Sequence, residues 1–78
     1  MDKKPTATQV EIYLIARVKE LRIKKGLSQS QLAHLLDVSP GFIGHVESSK
    51  DRAKYNLNIL VKLVKILECD YVDLLPKL

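Results

Sequence analysis

Apolar residues recur along this chain at three- and four-residue intervals, the period of an α-helix, and capping residues punctuate the pattern. Thr8 with Glu11 makes a capping box, which predicts a first helix from about Gln9 to Lys25, stopped by Gly26. Val10, Leu14, Val18 and Leu21 form its core stripe. Ile12, Tyr13 and Ile15 lie off that stripe, so the first half of the helix is apolar on more than one face. Either the last helix or a second copy of the chain must cover it. Ser28 with Gln31 opens a second, shorter helix, with Leu32, Ala33 and Leu36 on one face. Asp37 tolerates left-handed backbone, so the chain is expected to turn there, plugged by Val38. Ser39 is the expected cap of a third helix, about Pro40 to Ser48, with Pro40 at its first position and Phe42, Ile43 and Val46 as its apolar side. The second and third helices read together as a helix-turn-helix.

The stretch SSKDRAKY that follows Glu47 is polar and reads as a loop. Asn56 then caps a fourth helix, whose expected core face is Leu57, Leu60, Val61, Val64 and Leu67, widened by Leu63 and Ile66, with Lys62 and Lys65 outside. Asp70 and Asp73 frame a last short helix anchored by Tyr71, Leu74 and Leu75 and ended by Pro76. The predicted fold is all-α: one compact five-helix domain over residues 8–78, preceded by a short flexible arm, residues 1–7. In that arm Lys3 and Lys4 are either solvated or in reach of a phosphate. At 78 residues the chain sits near the lower size limit for a self-sufficient core. Aromatics are few, so Leu, Ile and Val must fill the core, helped by tight helix packing or by self-association.

The motif itself resembles the lambda-repressor-like, Xre/Cro-type helix-turn-helix family. The resemblance rests on Arg22, Gly26-Leu27-Ser28-Gln29, Leu32-Ala33, Val38-Ser39, Ile43 and Val46-Glu47, and further on Leu60, Leu63, Leu67, Leu74 and Leu75. It spans about residues 14 to 75. It implies that Arg22 and Glu47 pair as a largely buried salt bridge between the first helix and the second motif helix; the alternative is two independent surface charges. It also implies that the second motif helix lies in the major groove of double-stranded DNA, with Ser39, Pro40, Gly41, Gly44 and His45 towards the bases and Ser48 also among the DNA-binding residues. Gln29 matches a position that the family uses on a backbone phosphate. A helix N-terminus favours anions, because its free N–H groups point outward. The loop departs from the family: it is about two residues longer, has Ser49 where Gly is common, and has Tyr55 where Pro is common before the Asn56 cap.

Charge supports nucleic acid by its placement rather than its size. The net charge is +4, and seven Lys and Arg against three acids fall in residues 1–25. Residues 26–49 hold no Lys or Arg. Lys50, Arg52 and Lys54 then cluster in the loop and are expected to contact phosphates. The base-reading surface is sparse, since Pro40, Gly41 and Gly44 stand where relatives often carry Gln, Arg or Asn. His45 is the long polar side chain there. Phe42 either touches a thymine methyl or belongs to the core. Two glycines inside a helix point to close approach to something, the DNA backbone among the options, or to an indifferent surface.

Other chemistry finds little support. His34 and His45 are the two histidines, Cys69 is the lone cysteine, and no metal-ligand spacing or phosphate-cradling glycine loop occurs. No enzymatic activity, metal, cofactor or small-molecule ligand is expected. His34 reads as an exposed helix residue and Cys69 as a buried small apolar one, compatible with a reducing, cytoplasmic setting. No stretch approaches the roughly 20 apolar residues of a membrane span, and MDKKPTATQ lacks a signal peptide's apolar centre. The sequence therefore predicts a sequence-specific DNA-binding transcriptional regulator, a repressor acting as a homodimer. The alternative is a protein-interaction module, such as an antitoxin or adaptor.

Overall fold

A computed structural model describes residues 8–48 and 53–76 of the chain. These form five helices: α1 (Gln9–Lys24), α2 (Gln29–Leu36), α3 (Phe42–Glu47), α4 (Leu57–Ile66) and α5 (Tyr71–Leu74), with no strand among the described residues. The expected flexible arm, residues 1–7, lies outside the described residues, as do Lys3, Lys4 and Ser49.

Helices α1, α2 and α4 start where a side chain satisfies the first free N–H groups. Thr8 accepts from the Glu11 N–H at 3.2 Å while Glu11 accepts from the Thr8 N–H at 2.7 Å. Ser28 and Gln31 repeat that reciprocal box at 3.0 and 2.7 Å, and Asn56 accepts from the Ile59 N–H at 2.8 Å. Such caps contribute about 1 kcal/mol each. Three helices also end alike. Gly26, Asp37 and Glu68 adopt left-handed backbone at φ 75, 60 and 54°. Each left-handed residue donates its N–H to the carbonyl three back, and the residue after it donates to the carbonyl five back: Leu27 to Arg22, Val38 to Ala33 and Cys69 to Val64, all at 3.0 Å. This hook turns the chain sharply and seats Leu27, Val38 and Cys69 against the core.

The head of α3 differs from the expectation. The regular helix begins at Phe42, not Pro40, and Gly41 rather than Ser39 occupies the cap position. Ser39 accepts the Phe42 N–H through its main-chain carbonyl at 3.0 Å, so Ser39 to Phe42 is a four-residue turn feeding the helix.

One core joins the helices. Val18 of α1, Leu32 and Leu36 of α2, Ile43 of α3, Leu63 of α4 and Leu74 of α5 are fully buried, each contributing about 1.5–3 kcal/mol. Two expected faces are corrected. Val10 is exposed, so the α1 stripe runs through Leu14, Val18 and the aliphatic stem of Arg22. The core face of α4 is Ile59, Leu60, Leu63 and, just beyond the helix, Leu67, while Leu57 and Val61 are exposed beside Lys62 and Lys65. Most of α4 is apolar, so more than one stripe was open to it; packing against α2 selects between them. Lys62 then donates to the Leu36 carbonyl at the end of α2 at 3.4 Å.

Tyr55 takes a place the sequence did not assign it. Its ring is buried and meets Phe42 edge-on, with centroids 6.2 Å apart. Burial also pushes its phenol well above the ordinary tyrosine range, helped by the nearby Glu47 carboxylate. α5 packs on α1, where Arg17 Nε, at the middle of that helix, donates to the Asp73 carbonyl at 2.8 Å. The cover is partial, because Val10, Ile12 and Tyr13 of α1 stay exposed, as do Tyr71, Val72 and Leu75 in and after α5. No helix among the described residues is long and apolar enough to cross a membrane.

Candidate nucleic-acid interface

The site is built on α3 and the start of α2, held together by one buried ion pair. Arg22, at the end of α1, donates from Nε to Glu47 Oε2 and from Nη2 to Glu47 Oε1, both at 3.0 Å. The two side chains are 9% and 3% exposed, so the pair is sealed from solvent. Two parallel bonds suit the planar guanidinium and fix both side chains. Arg22 Nη1 also donates to the Leu27 carbonyl at 2.8 Å, a carbonyl that the glycine hook at the end of α1 brings round. Gln29 Nε2 completes the cluster by donating to Glu47 Oε1 at 2.9 Å. The end of α1, the start of α2 and the last turn of α3 thus meet on one carboxylate.

That anchoring sets which way α3 faces. Ile43 and Val46 point inward and are buried. At about 100° per residue, positions 41, 44, 45 and 48 share the opposite side. Gly41, His45 and Ser48 are exposed there, as are Ser39 and Pro40 in the preceding turn. Gly44 is half-buried because the Gln29 amide covers it. A Cβ at Gly44 would lie 3.2 Å from Gln29 Oε1, and one at Gly41 would lie 3.7 Å from His45 Nε2. The glycine at 44 therefore makes room for an amide from the neighbouring helix, and the one at 41 lies beside the imidazole.

Not every expected contact residue stands on this surface. Phe42 is half-buried against Tyr55, so its ring belongs to the core edge rather than to a thymine contact. Lys54 is drawn into an ion pair with Glu11 at the head of α1, at 3.2 Å. The Thr8 N–H first, and then Lys54 itself, lower the Glu11 pKa from its ordinary value. Gln29, expected on a phosphate, has one N–H engaged with Glu47. Lys50 and Arg52 lie outside the described residues. The link from Gln29 to Gly44 was missed in the sequence; its sole trace was a glycine where a helix would favour alanine.

Among the described residues no group of three His, Cys, Asp or Glu side chains is placed to hold a metal ion. Cys69 is half-buried in a cleft of about 410 Å³ between α1 and the α4–α5 link, away from α3, and burial raises its thiol above the ordinary value.

Comparison with known proteins agrees with this geometry. Residues 18–74 match the helix-turn-helix family. The chain is 29% identical over 58 residues to the HTH-type transcriptional regulator RamB of Mycobacterium tuberculosis, in two strains. The aligned stretch is 74% of this chain but 12% of RamB, so the chain spans a small part of that relative's length. Among solved structures, the clp gene regulator ClgR from C. glutamicum superposes with a TM-score of 0.70 at 26% identity, over 92% of this chain and 88% of that one.

Proposed function

Since the chain belongs to the helix-turn-helix family, we propose that it is a sequence-specific regulator of transcription that binds double-stranded operator DNA through α3, as a homodimer and as a repressor. The observation that carries this reading is the outward side of α3. His45 of α3, its caps Gly41 and Ser48, and Ser39 and Pro40 of the preceding turn are exposed together, while the back of the helix is fixed by Ile43, Val46 and the Arg22–Glu47 pair. A helix held this rigidly suits docking into a groove about 12 Å wide. Relatives named as transcriptional regulators support it. The domain acts by binding alone in this reading, with no catalytic step, cofactor or small-molecule effector.

Two-fold symmetry would place two copies of α3 on half-sites about one helical turn apart, which gives a domain this small a useful affinity. The apolar side chains left exposed on α1 and α5 supply material for a subunit contact. Reading by the few polar groups on α3 would be modest, so DNA shape and backbone contacts carry much of the preference.

A fluorescence-anisotropy titration with random duplex at two salt concentrations tests the proposal. Binding whose logarithm falls with log salt by roughly 0.9 per phosphate neutralised is the expected result. Absent or salt-insensitive binding would favour the protein-interaction module instead.

A further inference from the structure

The geometry points to Gln29 as a specificity-determining residue that reads an adenine in the major groove in place of a side chain from α3. This rests on the DNA-binding reading above. Position 44 lies on the flank of the outward side of α3, one turn from Gly41 and Ser48. In most helices a side chain would project there. Here the site is empty of its own side chain, and the Gln29 amide from α2 fills it: Gln29 Oε1 lies 3.2 Å and Gln29 Cδ 3.9 Å from where a Gly44 Cβ would stand. Gln29 is itself an exposed residue, and its amide lies along the flank of α3 between Gly44 and Glu47.

Its orientation is set by chemistry. Glu47 is a carboxylate whose Oε1 and Oε2 both take bonds from Arg22, so it can only accept. The face of the amide towards it must therefore be the NH2, as the 2.9 Å contact from Nε2 has it. That leaves Oε1 as an acceptor and the second N–H of Nε2 as a donor. An acceptor and a donor on one planar amide match the N6 amino group and N7 of adenine, the bidentate pairing that glutamine makes in the major groove. Because Glu47 is itself held by Arg22, the amide is pre-oriented, and little side-chain freedom is lost on binding. A phosphate contact would use the N–H alone and would carry no sequence information.

Gly44 and Gln29 must then act on the same base pair. An alanine at 44 brings its Cβ into the amide, which is the free end of a flexible side chain and moves aside easily. Gly44→Ala should leave the thermal midpoint unchanged or raised, because alanine is the better helix former, yet it should displace the reader.

The test is selection of bound sites from random duplex by the wild type, Gln29→Ala and Gly44→Ala, with affinity for random DNA and a circular-dichroism melt for each. The wild type is expected to favour A·T at one position of each half-site by roughly tenfold or more. Gln29→Ala should flatten that position, its loss of affinity for the preferred site exceeding its loss for random duplex by roughly tenfold. Gly44→Ala should alter the same position without a fall in midpoint. A Gln29→Ala protein that loses affinity for all sequences alike and keeps its preferred site would place the amide on a phosphate and overturn the inference. So would a preferred site and affinity that neither variant changes. A wild type that binds no duplex would overturn the DNA-binding reading first, and this inference with it.

Discussion

At the scale of single residues, the buried carboxylate of Glu47 decides most. It takes two bonds from Arg22 and one from Gln29 while its side chain is 3% exposed. An ion pair sealed this way adds little net stability over an apolar pair, but removing one partner strands a charge. Arg22→Met should therefore lower stability by about 3–5 kcal/mol, read as a large fall in the thermal midpoint, and Arg22→Met with Glu47→Leu should recover most of it. A midpoint that the single change leaves in place would refute that. Glu11 gives a second residue-scale prediction, in pH. Its pKa is depressed on folding by the Thr8 N–H and then by Lys54. The stabilisation it supplies is thus complete above the ordinary glutamate value of about 4.3 and is lost as pH falls through the lower folded value. Glu11→Gln keeps an acceptor for the capping box but has no proton to take up. Between pH 6 and pH 3 the wild-type midpoint should fall further than that of Glu11→Gln; identical profiles would mean that the carboxylate contributes nothing as a charge. Arg22 and Glu47 could be singled out from the resemblance, and Thr8 with Glu11 from the capping pattern. The Gln29 bond to Glu47 could not, since their separation of 18 residues carries no periodic signal.

At the scale of helices, starts were legible because caps are local. Thr8, Ser28 and Asn56 each satisfy the N–H three residues on, and each stands where the pattern placed it. Ends were legible where the residue type favours left-handed backbone, as at Gly26 and Asp37. Glu68 adopts the same conformation with no such preference, so the hook that ends α4 was silent. The inward face of α4 was silent for another reason: seven of its ten residues are apolar, and periodicity alone cannot choose among stripes that differ by one residue. Contact with α2 makes that choice. It follows that Ile59→Ala should cost about 2–5 kcal/mol in chemical denaturation, while Leu57→Ala, 78% exposed, should stay within about 0.5 kcal/mol. Reversed costs would mean that the stripe through Leu57 and Val61 faces inward after all.

For the molecule as a whole, the question is what the apolar surface left on α1 and α5 is for. A domain of 78 residues has little stability to spare, and exposed Val10, Ile12, Tyr13, Tyr71, Val72 and Leu75 are a solubility liability unless something covers them. A second copy would do so while supplying the second reading helix that an operator with two half-sites requires. Val72 tests this cleanly. It is 78% exposed, so a lysine there meets water in the isolated subunit and leaves the fold intact. In a subunit contact the same lysine would have to be desolvated without a partner. Val72→Lys should therefore weaken dimerisation by about tenfold or more in sedimentation equilibrium, with an unchanged melt of the dilute protein. In the proposed dimer two copies span both half-sites, so affinity for operator DNA should fall in step, while affinity for a single half-site should hold. A wild type that stays monomeric at tens of micromolar with operator present, or a variant that dimerises as the wild type does, would move the subunit contact away from α5.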